Sequence, residues 1–583
     1  MSSVNSVAKY IKTPCPLILD LVSVFTMGQN RTCKVAYFIP LALSPTVLAA
    51  QLCTANQTCW PSADLWSAFN ASIDGQLVAP HPPGWACHDP NYDEVVCNDF
   101  KANWNSSFWR ANQTGAMQNP VWDSPQCNVD SPRNATCDQG FVPHYSVDAK
   151  SESHVSEAVR FADKYNLRLV VKNTGHDFLG RSSGESSFGI WTHNLKGINF
   201  TDVFVATGCP QNETSGRAVT VKAAEQWLDV YKAVDVHNAS VVGGAARSVG
   251  AAGGWVQGGG HSPLGGLFGM GVDNVLQFTM VKPDGQIVKA NKCQNQDLFW
   301  ALRGGGSGTW GVTLDVTYKT YPRISANVVG MIVNTTNAGK LSELSEVFLQ
   351  ALPNITDQGL RGFGFWEPPT SLIVLWIHPN SSSLQHTNNT LQPIYNWIDA
   401  NNGTQAQIVT SSHPTFYDMF NTYIRDESIG APIWFGTRLV SRDTFSRNSK
   451  ELVKYIWGDG KRLGASFSII GGGAISKFDP ESTGLNPQWR KDAIVSWTFG
   501  GGWAANASAE EIEQIKTDTT RIVQRFGKVA GLDDAAYFNE ADPLEPQWKK
   551  SFFGSHYDRL LKIKQDVDPK GLFTCNRCVG SDL

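Results

Sequence analysis

Glycine makes up 12 of the 29 residues between Gly243 and Gly271, against 53 in the whole chain of 583. Glycine has no Cβ and accepts positive φ, so a segment of this kind lets the backbone approach a ligand closely. A flexible linker would be polar, whereas this segment also carries Trp255, Leu264 and Phe268. The pattern therefore predicts a buried loop that encloses a flat or charged ligand.

Hydrophobic periodicity around this segment predicts an α+β protein with two lobes, and not a barrel. The length allows two to four domains. Strand-like runs are Tyr145–Ala149, Leu167–Val171, Val328–Val333, Ser371–Ile377 and Ser466–Ile470. Helical spacing is found around Val155–Ala162 and over Lys340–Leu352, Ala509–Phe526 and Gln547–Asp566.

Three short motifs suggest other chemistries and fail on their context. The run Gly306–Gly311 fits the dinucleotide pattern G-x-G-x-x-G, but a helical segment precedes it and a strand follows, the reverse of a Rossmann turn. The run Gly180–Gly184 fits the G-x-S-x-G elbow of serine hydrolases, yet the preceding strand ends near Lys172, eight residues earlier. None of the 12 histidines forms H-x-H or H-E-x-x-H, so no metal site is expected.

The first 50 residues contain the pattern of a secretory signal. The apolar run Val35–Ala50 follows Arg31 and Lys34 and ends in small residues. A membrane anchor is disfavoured because the run is shorter than about 18 residues and contains two prolines. We expect a signal peptide within residues 1–50, with translation starting at Met27.

Cysteines support export. Ten remain after residue 50, and an even number in an exported chain indicates disulfides, although the sequence leaves their connectivity open. The C-x-x-C at Cys575 and Cys578 favours a structural bridge over thiol redox chemistry, since no strand and helix flank it. The ten are Cys53, Cys59, Cys87, Cys97, Cys127, Cys137, Cys209, Cys293, Cys575 and Cys578.

Composition also supports export. Only 17% of residues are charged, against about 25% in ordinary soluble proteins, and glycans would supply the missing solubility. A net charge of −4 gives no basic field for nucleic acid. We expect a secreted glycoprotein without a membrane anchor, and the oligomeric state stays open. The fourteen N-x-[ST] sites after residue 50 are Asn56, Asn70, Asn105, Asn112, Asn134, Asn199, Asn212, Asn238, Asn334, Asn354, Asn380, Asn388, Asn402 and Asn506.

Four motifs in order carry a family resemblance. These are Lys172–Gly184 (KNTGHDFLGRSSG), the end of the glycine-rich segment at Gly271–Asn274, Asp297–Gly308 (DLFWALRGGGSG), and a C-terminal pair, Tyr537–Asn539 with Phe553–Leu560. Together they resemble the berberine-bridge-enzyme-like branch of the vanillyl-alcohol-oxidase, or PCMH-type, flavoproteins. Within it, the sequence is most similar to fungal secreted oxidases of the isoamyl alcohol oxidase type. The resemblance extends from Pro143 to the C-terminus.

The resemblance implies a PCMH-type FAD-binding domain of two α+β subdomains and an α+β substrate lobe built on an antiparallel sheet. We expect a disulfide-rich extension over residues 51–140 and the FAD-binding domain over 141–325. The substrate-binding domain then covers 326–530, and a berberine-bridge-like segment, 531–583, returns to the FAD domain.

The resemblance also implies FAD attached covalently to His176. Bicovalent members carry a cysteine in a C-P-T-V-G run, where this chain reads Ala246–Gly250 (ARSVG), so we expect a single attachment. The other expected cofactor-binding residues are Lys172, Asn173, Thr174, Gly175, Asp177, Ser182, Ser183, Ser248, Val249, Gly250, Gly253, Gly254, Gly258, Gly259, Asp273, Asn274, Gly308, Val312 and Asn539.

The expected reaction is oxidation of an alcohol-type small molecule, with hydride passing to flavin N5 and dioxygen reoxidising the flavin to give hydrogen peroxide. Tyr537 is the candidate catalytic base, although a packing role is equally open and Glu540 stands where other members have a second tyrosine. Alternatives are an oxidative cyclase or dehydrogenase of secondary metabolism, and a non-catalytic glycosylated flavin-binding protein. His261 could face the ring or cap a turn. Five residues could line a pocket or fill a core: Trp366, Trp376, His378, Trp434 and Arg438.

Overall fold

The computed structural model describes residues 52–335, 337–367, 370–457, 464–504 and 506–582. The predicted signal peptide and the start at Met27 lie outside these residues. From Leu52 onward the chain clusters as a single unit, so the predicted domain boundaries stay predictions. In the part of the chain that is described, no helix has the length and apolar character needed to cross a membrane.

Seventeen strands are found in the described residues. In chain order they are β1 (Leu77–Val78), β2 (Tyr145–Asp148), β3 (Leu169–Lys172), β4 (Phe188–Trp191), β5 (Ile198–Thr201), β6 (Ala218–Lys222), β7 (Ala239–Val241), β8 (Val275–Val281), β9 (Ile287–Asn291), β10 (Val312–Pro322), β11 (Ala326–Asn334), β12 (Arg361–Glu367), β13 (Ser371–Pro379), β14 (Gln405–His413), β15 (Ile433–Ser441), β16 (Gly464–Ile469) and β17 (Ala493–Gly502).

The same residues contain fifteen α-helices. They are α1 (Ala63–Ser72), α2 (Glu94–Asn103), α3 (Ser107–Ala111), α4 (Glu152–Lys164), α5 (Trp227–Asp235), α6 (Gly254–Gln257), α7 (Gly265–Phe268), α8 (Gln296–Leu302), α9 (Ala338–Asp357), α10 (Leu384–Thr390), α11 (Gln392–Ala400), α12 (Phe416–Tyr423), α13 (Arg442–Trp457), α14 (Ala509–Ala530) and α15 (Tyr557–Val567).

Two sheets carry the loops of the candidate site. The first has the order β1-β2-β4-β3, in which β4 is parallel to both β2 and β3 and β1 is antiparallel to β2. Its apolar face packs on α1 and α4, where the Phe69 and Phe161 rings stack at 4.1 Å. The second sheet is antiparallel, with the order β5-β6-β10-β8-β9 and β7 paired to the end of β10. The loop after β3 and the turn before β10 therefore start from rigid elements.

The third sheet is antiparallel and has seven strands in the order β14-β11-β13-β12-β16-β17-β15. One face forms an apolar core with α9, α13 and α14, and this core contains Trp366, Trp376 and Trp497. Helix α14 begins with a capping box between Ser508 and Glu511, which satisfies two backbone N–H groups of its first turn. The α+β class and the antiparallel sheet are confirmed.

The five residues that could have lined a pocket are core residues. Trp366 and Trp376 belong to the apolar core of the third sheet. Trp434 Nε1 donates to Asp542 Oδ1 at 3.0 Å, and Arg438 forms a buried ion pair with Glu545 at 2.6 Å. The fifth, His378, is buried with Nδ1 2.9 Å from Thr387 Oγ1.

The prediction of one helix over Gln547–Asp566 is wrong. The segment contains a short π-helix, Lys549–Phe553, and a 3-10 turn before α15 begins at Tyr557. Gly554 interrupts the helix because it adopts φ +59°, where a Cβ would lie 2.7 Å from Asn486 Oδ1. The helix predicted over Ala509–Phe526 continues to Ala530 and ends at Gly531, which has φ +82°.

All ten cysteines after residue 50 form disulfides. Residues 51–140 contain α1 to α3, short turns and three local bridges. Cys575 and Cys578 are bonded to each other, and the preference for a structural bridge over redox chemistry stays a prediction. Cys209 and Cys293 lie near Glu213 but are bonded to each other, so this group cannot ligate an ion. The pairs are Cys53–Cys59, Cys87–Cys97, Cys127–Cys137, Cys209–Cys293 and Cys575–Cys578.

Candidate functional site

A cavity of about 750 Å³, its open mouth included, lies where three segments meet: the loop after β3, the glycine-rich segment and the turn before β10. Eleven of the predicted cofactor-binding residues line it: Asn173, Thr174, Gly175, His176, Asp177, Ser182, Val249, Gly250, Gly253, Gly254 and Gly308.

Asp177 organises the loop after β3. Its carboxylate accepts backbone N–H groups from Leu179 at 3.1 Å, from Ser182 at 2.7 Å and from Arg181. It also accepts the Arg181 Nε–H at 3.2 Å, and both side chains are at most 5% exposed. The backbone turns at Gly175, which has φ +81°. Asp177 therefore shapes the cavity wall, and its oxygens are occupied by protein donors.

Arg181 supplies positive charge to the cavity. Its guanidinium stacks on the Phe538 ring at 4.5 Å, and Nη2 donates weakly to Asn539 Oδ1 at 3.4 Å. Nη1 is buried and has no hydrogen-bond partner among the described residues. Because an unpaired buried donor is costly, this nitrogen indicates an anionic ligand such as a phosphate.

Glycines bring the three segments together. A Cβ at Gly250 would collide with Asn173 Nδ2, which donates to the Ala223 carbonyl. At Gly253 a Cβ would meet no protein atom closer than 4.0 Å, so it would stand in the cavity. The glycine-rich segment thus packs against protein on one side and leaves its backbone open to a ligand on the other, as predicted.

His176 faces the cavity and is hydrogen-bonded behind it. Its Nε2 lies 2.7 Å from Ser248 Oγ, which donates to Glu427 Oε2 at 2.8 Å. Burial lowers the pKa of His176 from its usual value, and the Glu427 charge opposes this effect. The imidazole is therefore neutral at neutral pH and carries a nitrogen lone pair.

Asp273 and Asn274 do not line the cavity, contrary to the predicted role near the ring end of the cofactor. Asp273 is fully buried and forms a bidentate ion pair with Arg490, at 2.6 and 2.9 Å. Asn274 donates to the carbonyls of Phe268 and Met270. The ion pair of Asp273 and the hydrogen bonds of Asn274 fix the end of the glycine-rich segment.

Four further predicted residues contact protein instead of the cavity. Lys172 Nζ donates to the Gln113 and Thr114 carbonyls, and burial lowers its pKa to about 7. Ser183 lines a separate, smaller cavity together with Lys172. Val312 belongs to the apolar core of the first sheet, while its neighbours Gly311 and Thr313 line the site. Gly259, at φ +123°, packs against the Leu485 side chain.

The last three predicted residues lie behind the residues that line the cavity. They are Ser248, Gly258 and Asn539. Gly258 leaves room for the Asn539 amide, with which a Cβ would collide. Asn539 Nδ2 donates to the Trp255 carbonyl at 3.0 Å and to Tyr537 Oη at 2.8 Å. Asn539 thereby connects the C-terminal segment to Trp255, which lines the cavity.

Tyr537 is 1% exposed. Burial and the Glu540 charge raise the pKa of Tyr537 well above its usual value. The phenol is therefore protonated at neutral pH, and the role of catalytic base stays a prediction. Beside it, His261 Nε2 lies 3.0 Å from Glu540 Oε1, and the His261 ring packs edge-on against Tyr537 at 4.9 Å. His261 thus belongs to a carboxylate–imidazole pair.

Several lining residues escaped the sequence analysis. Arg181 lies within a quoted motif, but its unpaired nitrogen depends on burial that the sequence does not show. Trp255 and Gln257 alternate with glycines, which could have marked them. Glu427, which lies behind His176 and does not line the cavity, has no local sequence signal at all. The lining residues not predicted are Val171, Arg181, Thr192, Ala223, Ala252, Trp255, Gln257, Ser307, Gly311 and Thr313.

A glycine-lined cavity with a neutral imidazole and a buried guanidinium, one nitrogen of which lacks a partner, suits a large dinucleotide with an anionic pyrophosphate. These residues fit FAD: Arg181 and the loop at Gly175 would hold the pyrophosphate, and the glycine-rich backbone would lie along the cofactor. The fold and the site thus define a flavin-dependent oxidoreductase.

Comparison with known proteins agrees. Residues 143–291 match the FAD binding domain family, and residues 536–580 match the berberine and berberine-like family. An uncharacterized FAD-linked oxidoreductase of Arthroderma benhamiae is 39% identical over 540 residues, which are 91% of this chain and 94% of the relative. The FAD-linked oxidoreductase apf9 of Gibberella fujikuroi is 34% identical over 573 residues, covering 93% and 96%.

A solved structure shares the same fold. The VAO-type flavoprotein MtVAO713 of Myceliophthora thermophila superimposes with a TM-score of 0.85 at 26% identity, over 91% of this chain and 97% of that one. The chain therefore belongs to the FAD-linked oxidoreductases of the vanillyl-alcohol-oxidase and berberine-bridge-enzyme-like family, and it is an FAD-dependent enzyme.

Replacing Gly253 by Leu places a side chain in the cavity without a collision with protein, so we expect Gly253→Leu to lose most of its FAD and to fold normally. FAD content is measured by absorbance after purification. The free energy of unfolding of the flavin-free protein should change by under about 1 kcal/mol. Gly330→Leu is the matched control, because Gly330 in β11 also has no close neighbour below 3.9 Å. A Gly253→Leu protein with full FAD content would contradict the assignment of the cavity.

Replacing Arg181 by Met removes a buried charge-assisted contact worth about 1.5–3 kcal/mol. We expect FAD binding to weaken roughly 10- to 100-fold, measured by fluorescence titration in a His176→Ala background. Arg181→Lys should lose less, because it keeps the charge. Arg133→Met is a control at an exposed ion pair. Unchanged affinity in Arg181→Met would show that the guanidinium does not bind the cofactor.

Proposed function

We propose that this enzyme is a secreted oxidase of alcohol-type substrates. FAD supplies the acceptor for the hydride of a CH–OH carbon, and dioxygen accepts the electrons to give hydrogen peroxide. The observation that carries the proposal is a half-exposed face of the seven-stranded sheet beside the pair formed by His261 and Glu540. The Phe363 ring of this face lies 6.4 Å from the His261 ring.

The sheet has the amphipathic pattern of a cleft wall. Along Leu372–Trp376, Ala465–Ile469 and Trp497–Gly500, residues buried under the helices alternate with residues that stay at least partly exposed. In β12 the Phe363 and Phe365 side chains are also partly exposed. Strand register places Phe363 beside Leu375 and Ser468, and Phe365 beside Ile373 and Ser466. Aromatic, aliphatic and hydroxyl groups on one surface suit a substrate with an apolar body and hydroxyl groups.

The proton of the substrate hydroxyl needs an acceptor during hydride transfer. Glu540 suits this role better than Tyr537, because its side chain is 29% exposed and its carboxylate is hydrogen-bonded to an imidazole that can share the proton. Tyr537 stays protonated and holds Asn539 in place. We therefore assign Glu540, with His261, as the proton acceptor in this proposal.

Single covalent attachment of FAD through His176 is also part of the proposal. It is supported by the position of His176 in the cavity lining and by its neutral imidazole. The ten cysteines after residue 50 are all paired in disulfides, so none in this part of the chain is free for a second linkage.

Export is supported by two features of the surface. Five disulfides are typical of an oxidising compartment. None of the fourteen N-x-[ST] asparagines is buried, and eleven of them are fully exposed. We propose that glycans on these sites solubilise the secreted protein.

A screen of primary, secondary and sugar alcohols on the purified holoenzyme tests the function. We expect an alcohol to bleach the flavin absorbance under anaerobic conditions and to release hydrogen peroxide in air. The control is His176→Ala depleted of FAD, which should do neither. Bleaching without peroxide would indicate a dehydrogenase, and a ring-closed product a cyclase. A flavin that no compound in the screen reduces would indicate a flavin-binding protein.

Replacing Glu540 by Gln should slow anaerobic flavin reduction by about 10²–10⁴-fold without loss of FAD.

Tyr537→Phe is the matched control. It loses one hydrogen bond worth about 1 kcal/mol, so the rate should fall only roughly fivefold. If the rate of anaerobic flavin reduction falls more in Tyr537→Phe than in Glu540→Gln, the Tyr537 phenol is the base and Glu540 is not.

A further inference from the structure

A chain of hydrogen bonds connects His176 to Glu427 through Ser248. Neither Ser248 nor Glu427 lines the cavity. Nε2 of His176 contacts Ser248 Oγ at 2.7 Å, and Ser248 Oγ contacts Glu427 Oε2 at 2.8 Å. Ser248 is fully buried. Glu427 lies between α12 and β15, 179 residues farther along the chain.

Glu427 is held as an acceptor. Besides Ser248, its carboxylate accepts the Ser107 hydroxyl at 3.1 Å and the Arg247 backbone N–H. Three donors converge on a group that, when ionised, can only accept. The single hydroxyl proton of Ser248 is therefore directed to Glu427, which leaves the Ser248 oxygen to accept a proton from Nε2 of His176.

We propose that Glu427 is a positioning residue for His176: through Ser248 it fixes the proton on Nε2, leaves the lone pair on Nδ1, and so promotes covalent attachment of FAD. The inference rests on the covalent linkage proposed above. A hydrogen bond at one imidazole nitrogen fixes which nitrogen is free to react. The lowered pKa of His176 acts in the same direction, because a neutral ring is the nucleophile.

The attachment is balanced as follows. A bond forms between Nδ1 and the 8α carbon of the flavin, and one C–H bond of that carbon breaks. The electron pair of this bond stays on the flavin, which becomes reduced. Alkylation makes the Nε2 proton acidic, and the charge that develops on the ring is stabilised by Glu427 through Ser248. Dioxygen then takes the two electrons, and hydrogen peroxide leaves with the proton of the carbon and the proton of Nε2.

The test measures attachment and not turnover. Full-length protein purified without flavin is mixed with FAD, and the flavin that remains with the protein after acid precipitation is followed over time. We expect Glu427→Gln and Ser248→Ala to slow attachment roughly 10- to 100-fold. Ser248→Thr keeps the hydroxyl and should restore most of the rate.

Asp426→Asn is the matched control. It removes the same charge one residue away, from an exposed carboxylate that pairs with the Arg247 side chain, and it should attach FAD at the wild-type rate. FAD bound before precipitation is measured in every variant, so that weaker binding is distinguished from slower attachment.

Wild-type rates in both Glu427→Gln and Ser248→Ala would overturn the inference while leaving the covalent linkage intact. A wild-type protein that releases all its FAD on precipitation would instead overturn the covalent linkage. If Glu427→Gln binds no FAD, the attachment rates of Ser248→Ala and Ser248→Thr test the inference. Equal attachment rates in these two variants contradict it. Slow attachment in Ser248→Ala with fast attachment in Ser248→Thr supports it.

Discussion

Close approach of backbone to backbone is the constraint on which the FAD cavity depends. Three segments from different parts of the chain can enclose the cofactor only if few side chains come between them. Gly250 lets Asn173 bridge to the Ala223 carbonyl, and Gly258 admits the Asn539 amide. Because interiors are packed to near-crystalline density, one methyl group at either glycine would displace a hydrogen-bonded neighbour.

The sequence was informative where a local pattern reflects a local cause. Absent side chains mark close backbone approach wherever it occurs, and the glycine-rich segment supplies four of the predicted lining residues, Val249, Gly250, Gly253 and Gly254. The other seven predicted lining residues followed from the family resemblance of the motifs around His176 and Gly308. The sequence was not informative where the role of a residue depends on a distant partner. Asp273 was assigned to the cofactor because its pairing with Arg490, 217 residues away, has no sequence signature. Burial, which raises the pKa of Tyr537, cannot be read from its neighbours in the chain either, and the role of Tyr537 as a base stays a prediction.

The two lobes share polar interactions at the cavity, not only apolar packing. Glu427 lies next to the third sheet in the chain, yet its carboxylate joins Ser107 of the extension to Ser248 of the glycine-rich segment. Arg247 adds an ion pair with Asp426 across the same boundary. Movement of the α12–β15 connection would thus alter the surroundings of His176. The surroundings of His176 and the position of the α12–β15 connection are physically linked.

The C-terminal segment supports the cavity from behind. Asn576 donates to the Leu179 carbonyl, Arg181 contacts Asn539, and Cys575 Sγ lies 3.4 Å from the Gly308 carbonyl oxygen. A chain emerging from the ribosome has made the loop at His176 long before these partners exist. Since domains fold as their residues become available, the cofactor site stays incomplete until synthesis has passed residue 576. The contacts that support the FAD cavity from behind are therefore completed by the last residues of the chain to be synthesised.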